Sequence, residues 1–300
     1  MASEALQELI AGMRAGGPDF SGDLSRARDE FEALLATMPV DAGFSFNDVQ
    51  LGGVAALHCK TGPARAGALL YLHGGAFVSG SAQGYRGLAA NVGQAAGLPT
   101  YALDYRLAPE HPFPAAIDDA LTAYRALLSS GMKADRIVIA GDSAGGGLAL
   151  SLLVKLREEG LEMPAAAYLL SPWADLSCSG GSMQSKAQAD PALTEKGLHI
   201  AAGQYLAGTP VGDPLASPAH ADLSGLPPLL VQVGSAEILL DDAVMVASRA
   251  GAAGTHVQLE IWPDMPHVWQ SFAFMLDEGR AALDAAGAFM RNHTSGASHA

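Results

Sequence analysis

Short apolar runs and amphipathic stretches alternate along most of this chain. Six runs of strand length each end in a loop, at 68–72, 99–103, 136–140, 165–170, 229–233 and 257–261. Apolar residues at helical spacing mark further stretches at 82–96, 114–128, 144–157, 239–252 and 268–291. Because strands buried on both faces are continuously apolar and are joined by helices, the pattern predicts an α/β fold with a mostly parallel sheet and helices on both faces.

Two segments precede this alternation. Between 43 and 60 the apolar residues shift toward every second position, which predicts a two-stranded hairpin and brings the sheet to eight strands. Residues 1–38 show helical spacing on both sides of Gly16-Gly17-Pro18, which predicts two helices.

One connection is far longer than a normal crossover. Residues 175–219 join two predicted strands and are rich in Ser, Gly, Pro and Ala, with one helical stretch at 194–206. Long insertions of this kind are often functional lids. We expect 1–38 and 175–219 together to cover the carboxyl ends of the strands, and a plain surface excursion is the alternative.

Composition narrows the class of protein. With 300 residues and 49% hydrophobic content, the chain can bury one large core. Its formal charge of -14 argues against binding to nucleic acid or to anionic membranes, which both need basic surface. Two cysteines, an acidic N-terminus without an apolar leader, and no run of about 20 apolar residues favour a cytoplasmic protein that does not enter a membrane.

A nucleophile elbow is predicted where the third apolar run meets a helix. Gly141-Asp142-Ser143-Ala144-Gly145 is a G-x-S-x-G sequence at a strand-to-helix turn, where a serine hydroxyl stands clear of the backbone. Glycine is abundant in this chain, so a G-x-S-x-G sequence can occur by chance. The prediction is supported by the strand pattern before it and the helical pattern after it. Gly141 and Gly145 let strand and helix approach closely enough for the turn. Ser143 is therefore the candidate nucleophile, and the N-terminus of its helix favours a developing negative charge.

Backbone donors for that charge are predicted in two loops. His73-Gly74-Gly75-Ala76 follows the first apolar run, and adjacent glycines let backbone amides point into a site without obstruction. Fixed amides commonly stabilise the oxyanion of acyl transfer. We expect Gly75 and Ala76, with Gly74 shaping the turn, to form an oxyanion hole together with Ala144 beside the nucleophile. The alternative is an ordinary tight turn.

A general base and a carboxylate to orient it are predicted in the last two loops. His267 stands between the last strand and the last helix, where an imidazole can reach Ser143. Glu237 lies just past the fifth apolar run, whereas Asp241 falls at the start of the next helix, where acids commonly cap. We favour Glu237 as the acid and keep Asp241 as the alternative. The prolines around Asp264 are expected to direct that carboxylate elsewhere.

The three groups occur in the order Ser143, Glu237, His267. This is the order of the α/β-hydrolases, and it differs from the orders in chymotrypsin-like and subtilisin-like proteins. The remaining histidines show no metal-ligand spacing, and neither a Walker loop nor G-x-G-x-x-G is present. We therefore expect neither a metal nor a cofactor.

Together these motifs resemble the bacterial hormone-sensitive-lipase family of α/β-hydrolase esterases. The resemblance covers about residues 40–291, and it is carried by YLHGGAF from residue 71, DYRLAPE from residue 104, GDSAGG from residue 141, and the Glu237 and His267 loops. Ala76 stands where the family commonly has glycine, and Glu237 where it commonly has aspartate. The resemblance implies that the residues at 104–110 and 171–173 support the site rather than perform chemistry.

The resemblance implies a serine esterase that cleaves short-chain carboxylic esters through an acyl-serine. Residues 1–38 would form a helical cap and 39–300 the catalytic domain. Lactones, amides or acyl-peptides are alternative substrates for the same groups. A non-catalytic ligand-binding protein, as in the gibberellin receptors, and an interaction protein that uses residues 1–38 are alternatives of other classes.

A pocket and a partner are also expected. The residues expected to line the substrate pocket are Met13, Phe20, Trp173, Met183 and Trp269, and ordinary core positions are the alternative. The resemblance also implies a homodimer through the edge strand at 257–261.

Overall fold

The apolar runs of the sequence form one sheet. The computed structural model describes residues 3–18, 20, 22–61 and 65–294. Its strands are β1 (Phe44–Leu51), β2 (Val54–Thr61), β3 (Ala68–Leu72), β4 (Thr100–Leu103), β5 (Ile137–Asp142), β6 (Ala166–Leu170), β7 (Leu229–Gly234) and β8 (Val257–Trp262). They pair in the order β1-β2-β4-β3-β5-β6-β7-β8.

Within this sheet β2 runs against its neighbours. It pairs antiparallel with β1 and β4, whereas all pairs from β4 to β8 are parallel. The hairpin β1–β2 turns through Gly52 and Gly53, whose φ angles of 64° and 94° suit the two-residue turns that match strand twist. The predicted eight-stranded, mostly parallel sheet is confirmed.

The helices lie close to the predicted stretches. Those of the described chain are α1 (Glu4–Ala15), α2 (Leu24–Ala36), α3 (Arg86–Ala96), α4 (Ala115–Ser129), α5 (Ala144–Glu158), α6 (Ser182–Ser185), α7 (Glu195–Leu206), α8 (Leu240–Ala252) and α9 (Asp277–Thr294). The single turn α6 was not predicted.

The predicted helix at 268–291 is wrong at its start, because α9 begins at Asp277. The segment Trp269–Phe272 forms a 3-10 helix instead. Val268 has a φ of 51°, which a continuing right-handed helix excludes. A 3-10 helix also places residues i and i+3 on one face, so the apolar spacing looked continuous in the sequence.

Helices cover both faces of the sheet, as predicted. Leu70 and Leu72 of β3 face a larger cluster with α4, α5 and α8, while Leu69 and Tyr71 face a second cluster with α3 and α9. Side chains alternate across a strand, and all four of these are fully buried. The double burial makes the sheet a rigid support for the loops at its edge.

Helix α1 packs onto the loop after β8 and onto the long connection 175–219. Leu6 and Leu9 of α1 join Met265 and Trp269 in a smaller cluster beside the segment after β8. In the same helix, Arg14 donates to the Gln188 carbonyl at 3.1 Å. Gln188 belongs to the long connection 175–219, so α1 and this connection are in contact.

A guanidinium anchors α2. Arg28 donates to the carbonyl of Val78 at 2.6 Å and to that of Ala108 at 2.8 Å. Both nitrogens at the end of its side chain also bind Glu110, each at 2.7 Å. This fork ties α2 to the loop after β3 and to the segment 104–110, which was expected to support the site.

Two further predictions concern the environment of the chain. In the part of the chain that the structure describes, no helix is both long and apolar enough to cross a bilayer. Cys59 and Cys178 are both buried and free. The cytoplasmic location stays a prediction.

Candidate active site

Loops from five strands meet at one edge of the sheet. Because β3 to β8 run in parallel, their carboxyl ends lie at the same edge. This edge, the rim, consists of residues 73–79, 142–145, 171–175, 234–239 and 263–268. It contains the predicted nucleophile, acid, base and oxyanion donors.

Ser143 occupies a strained turn between β5 and α5. Its φ of 53° and ψ of -122° lie outside the conformations that L-residues prefer. Its N–H donates to the Leu170 carbonyl at 2.8 Å, and its own carbonyl accepts from the Trp173 N–H at 2.9 Å. The turn is also close-packed, because a Cβ on Gly145 would overlap the Leu72 carbonyl oxygen. Hydrogen bonds and packing therefore hold the serine at the rim.

A buried carboxylate joins this turn to the loop after β3. Asp142 precedes Ser143, and its Oδ1 accepts from the Tyr71 hydroxyl at 2.7 Å and from the Gly74 N–H at 3.0 Å. Burial raises the pKa of Asp142 to about 6, and hydrogen bonds from Tyr71, Gly74 and Tyr85 oppose that shift only in part. The Gly74 amide is thus occupied, so Gly74 shapes the loop and does not offer its N–H to a substrate.

The next amides of this loop are placed differently. Gly75 and Ala76 have positive φ angles, 105° and 55°. The Gly75 carbonyl accepts from the Ser79 N–H at 2.9 Å, and the two polar groups of a trans peptide point in opposite directions. The Ala76 N–H is therefore directed away from that inner turn. Ala144 offers a further amide, since it is the first residue of α5 and has no intrahelical acceptor.

His73 stabilises the same loop. Its ring stacks between Tyr85 and Tyr105, with centroid distances of 5.4 Å and 4.3 Å. Its Nδ1 lies 2.7 Å from the Gly74 carbonyl. Burial lowers the pKa of His73 to about 4, so the ring is neutral at pH 7 and acts as a packing and hydrogen-bonding group.

Glu237 and His267 form a buried pair. The Oε2 of Glu237 lies 2.7 Å from Nδ1 of His267. The other oxygen, Oε1, accepts from the Ser171 hydroxyl at 2.7 Å and from the Gly234 N–H at 2.5 Å. Because Nδ1 faces a carboxylate, we infer that it carries the ring proton, which leaves Nε2 free to accept one.

Ser171 connects this pair to the turn that carries Ser143. It directly follows Leu170, the residue that accepts the Ser143 N–H. Its hydroxyl donates to Glu237 and accepts from the Val268 N–H at 3.4 Å. Ser171 and Val268 both have left-handed φ angles, 44° and 51°, and such strain concentrates at functional sites. The Ser143 turn and the Glu237–His267 pair are therefore parts of one connected hydrogen-bond network.

The surroundings of His267 favour its protonated form. Burial by itself would lower the pKa of His267, but the hydrogen bond and charge of Glu237, together with the charges of Asp190 and Asp142, raise it above the ordinary value of 6.5. The side chain is only 10% exposed, so solvent screens these charges weakly. The imidazole is consequently a stronger base than a free histidine.

The other candidate acids do not contact the imidazole. Asp241 accepts the Ser182 N–H at 2.9 Å, and Asp264 is exposed to solvent. Among the described residues, no group of three or more His, Cys, Asp or Glu side chains is arranged to hold a metal ion.

The residues expected to line a pocket lie in two places. Trp173 and Met183 are buried in the larger core cluster, and Phe20 packs against it; this cluster extends to the start of α5. Trp269 is fully buried in the smaller cluster beside α1, and Met13 packs there too. Met13 is partly exposed, whereas Trp173, Met183 and Trp269 are all buried, and the pocket-lining role of these residues stays a prediction.

Some contacts of the rim were not predicted. Asp142 had no expected role outside the G-x-S-x-G sequence, and Ser171 was expected only to support the site, without its bond to Glu237. Both are polar residues at the ends of buried strands, which is the signal that identified the other loops. Phe77 and Tyr205 stack with a centroid distance of 3.9 Å, bringing α7 against the loop after β3. Nothing in the local sequence indicates that long-range contact.

Comparisons with known proteins agree with this geometry. A family model described as the α/β hydrolase fold matches residues 69–271. An acetyl-hydrolase from Streptomyces hygroscopicus is 52% identical over 226 residues, which are 75% of this chain and 76% of that protein.

Solved structures are similar over almost the whole chain. An esterase of the bacterial hormone-sensitive lipase family has a TM-score of 0.94 and 44% identity, covering 98% of this chain and 99% of that one. The esterase EstE5, in a crystal soaked with p-nitrophenyl butyrate, has a TM-score of 0.93 and 40% identity, covering 98% of this chain and 100% of that one.

The buried charge of Asp142 leads to a prediction about stability. Its pKa rises from 3.8 to about 6 on folding, so the stability this group contributes is fully present below pH 3.8 and is lost as pH rises through 6. Asp142→Asn keeps an acceptor oxygen without the charge. We expect its free energy of unfolding in urea to exceed that of the wild type by about 1–3 kcal/mol at pH 8.

The difference should shrink at pH 5, because the wild-type carboxyl is then largely protonated. The exposed Asp264→Asn is the control and should show no such gain. Equal stabilities of Asp142→Asn and wild type at both pH values would contradict the assigned burial cost.

Proposed function

Because this chain belongs to the α/β-hydrolase fold family, and within it to the bacterial hormone-sensitive-lipase esterases, we propose that Ser143, Glu237 and His267 form its catalytic triad. The protein is a carboxylic ester hydrolase that acts on short-chain esters. The observation that supports the triad most directly is the 2.7 Å contact between Glu237 Oε2 and His267 Nδ1, at the rim that holds Ser143.

Acylation begins with proton transfer from serine to histidine. The Nε2 of His267 takes the hydroxyl proton as Ser143 Oγ attacks the ester carbonyl carbon. The carbonyl electron pair moves to its oxygen, and the imidazolium that forms is stabilised by Glu237. The raised pKa of His267 favours this transfer.

Backbone amides receive the new negative charge. The proposed donors are Ala76, Gly75 and Ala144, with Gly74 shaping the loop. The positive end of the α5 dipole acts at the same place. Each such donor contributes a few kcal/mol to transition-state stabilisation in a dry site.

Collapse of the intermediate completes the cycle. The bond between the carbonyl carbon and the alcohol oxygen breaks, and His267 gives its proton to the departing alcohol. A water molecule then loses a proton to His267 and attacks the acyl-serine. Breakdown of the second intermediate releases the carboxylic acid and returns the proton to Ser143.

The cap is a further part of the proposal. Residues 1–38 and the 175–219 segment would cover the catalytic domain, 39–300, and shape its acyl pocket. The support is the bond from Arg14 to Gln188 and that from Arg28 to Val78 in the oxyanion loop. The lining residues would be Phe20, Trp173, Met183, Met13 and Trp269; Met13 lies on α1 and packs in the same cluster as Trp269.

A homodimer through β8 is also proposed. In the strand order β8 has a neighbour on one side only, so backbone groups on its outer side are available for pairing. Ile261 on this strand is 46% exposed. A two-fold axis beside β8 would pair it with its own copy.

Ser143→Ala is expected to reduce kcat/KM for p-nitrophenyl acetate by about 10⁴-fold or more. The far-UV circular dichroism and the unfolding midpoint should stay near wild type, because only one hydroxyl is removed. In the wild type, a series from acetyl to palmitoyl esters should show the highest kcat/KM at short chains, and matched lactone and amide substrates should be slower. Undiminished turnover in Ser143→Ala would end the serine-esterase proposal.

Met183→Ala should extend activity toward longer acyl chains if this residue lines the pocket.

Glu237→Gln should lower kcat by about 10³- to 10⁴-fold, because the imidazole loses its orienting carboxylate. The acid limb of kcat/KM should lie above pH 6.5 in the wild type, where the raised pKa of His267 places it. It should move to lower pH in the variant, since the main support for the protonated ring is gone. The measurement is a pH–rate profile.

Asp241→Asn is the matched control. Its amide oxygen can still accept the Ser182 N–H, so most of the turnover should remain. Near-full activity in Glu237→Gln combined with a large loss in Asp241→Asn would move the orienting role to Asp241.

The dimer is tested by Ile261→Lys. A lysine on the edge strand should oppose pairing with a second copy, so sedimentation velocity should show a dimer for the wild type and a monomer for the variant. A monomeric wild type, or a variant that stays dimeric, would exclude β8 as the interface.

A further inference from the structure

The 175–219 segment is fastened to the loop that carries Glu237. Both backbone polar groups of Ile238, the next residue, are bound by side chains of this segment. The Ile238 N–H donates to Asp190 Oδ2 at 2.9 Å, and its carbonyl accepts from the Ser182 hydroxyl at 2.6 Å. The position of the acid is therefore fixed from this segment as well as from the sheet.

Asp190 is a buried carboxylate whose described hydrogen bonds all come from backbone amides. It is only 8% exposed, and its Oδ1 accepts from the N–H groups of Ala192 and Leu193 at 2.8 Å and 2.9 Å. Among the described residues no Lys, Arg or His forms an ion pair with it. Its charge is thus not neutralised locally and acts on neighbouring groups.

The imidazole of His267 is one of those groups. Three carboxylates from three elements contribute charge to its environment: Glu237 from the loop after β7, which contacts it, Asp190 from the 175–219 segment and Asp142 from the end of β5. All three raise the pKa of His267 against the effect of burial, Glu237 most and Asp190 next. Asp190 therefore acts on the acid through Ile238 and on the base through its charge.

We propose that Asp190 is a positioning residue of the triad, which holds the Glu237 loop at Ile238 and supplies a fixed negative charge to the field around His267. The inference rests on the proposed function, because it assigns a role relative to that triad. It makes the 175–219 segment part of the proton-transfer apparatus, in addition to any contact with the acyl chain.

The test is the pH dependence of p-nitrophenyl acetate hydrolysis by Asp190→Asn. Asparagine keeps one acceptor oxygen for the turn over Pro191 but removes the charge. We expect kcat to fall about tenfold through misplacement of the acid, with little change in KM. The midpoint of the acid limb of kcat/KM should move down by about half a pH unit.

Ser182→Ala is the matched control, because it releases the same residue, Ile238, without changing any charge. It should lower kcat and leave the midpoint of the acid limb in place. Asp190→Glu keeps the charge on a longer side chain, so it should show the wild-type midpoint with a reduced kcat. If Asp190→Asn does not fold, Asp190→Ser, whose hydroxyl can still close the local turn, is judged by the same midpoint.

The outcomes distinguish a failure of the role assigned to Asp190 from a failure of the proposed esterase function. An acid limb at the wild-type midpoint in the variants that lack the charge, or a shifted one in Asp190→Glu, would overturn the inference. A wild-type protein without esterase activity, or full turnover by Ser143→Ala, would instead remove the proposed function.

Discussion

A buried negative charge that must be matched by donors is the constraint on which the site depends. Glu237 is fully buried, and an unmatched carboxylate there would cost several kcal/mol. It is matched by a hydroxyl from the end of β6, an amide from the end of β7 and an imidazole from beyond β8. Hydrogen bonds to this one carboxylate therefore fix three loops relative to each other, and the imidazole of the proposed general base is among the groups fixed.

The strained backbone conformations at the rim are maintained by the buried sheet below it. Ala76, Ser143, Ser171 and Val268 all have left-handed φ angles, each of which costs about 1–3 kcal/mol. They follow the carboxyl ends of β3, β5, β6 and β8, and the first three of these strands are buried on both faces. Hydrogen bonds to neighbouring strands and loops hold three of them, Ser143, Ser171 and Val268, in these conformations.

The sequence predicted the sheet well because burial on both faces leaves a strong local signal. The run at 68–72 matches β3 without error, and the other five differ by a residue or two. The start of α9 was misplaced because a 3-10 helix and an α-helix share the i, i+3 spacing. The triad candidates followed from polar residues after strands. Asp190 could not be found this way, since its partner Ile238 is distant in the chain and the contact exists only in three dimensions.

The double contact of Asp142 limits how this enzyme can diversify. Its Oδ1 accepts hydrogen bonds from Tyr71, inside the sheet, and from Gly74, beside the proposed oxyanion donors. The backbone of Asp142 leads directly into Ser143, the proposed nucleophile. The proposed attacking hydroxyl and the proposed oxyanion amides are thereby held at a fixed distance from the same carboxylate. Substitutions that change the substrate preference can therefore hardly alter the spacing between these groups. Variation in specificity is expected instead in residues 1–38 and in the 175–219 segment, whose length and composition can change without disturbing Asp142 and its partners.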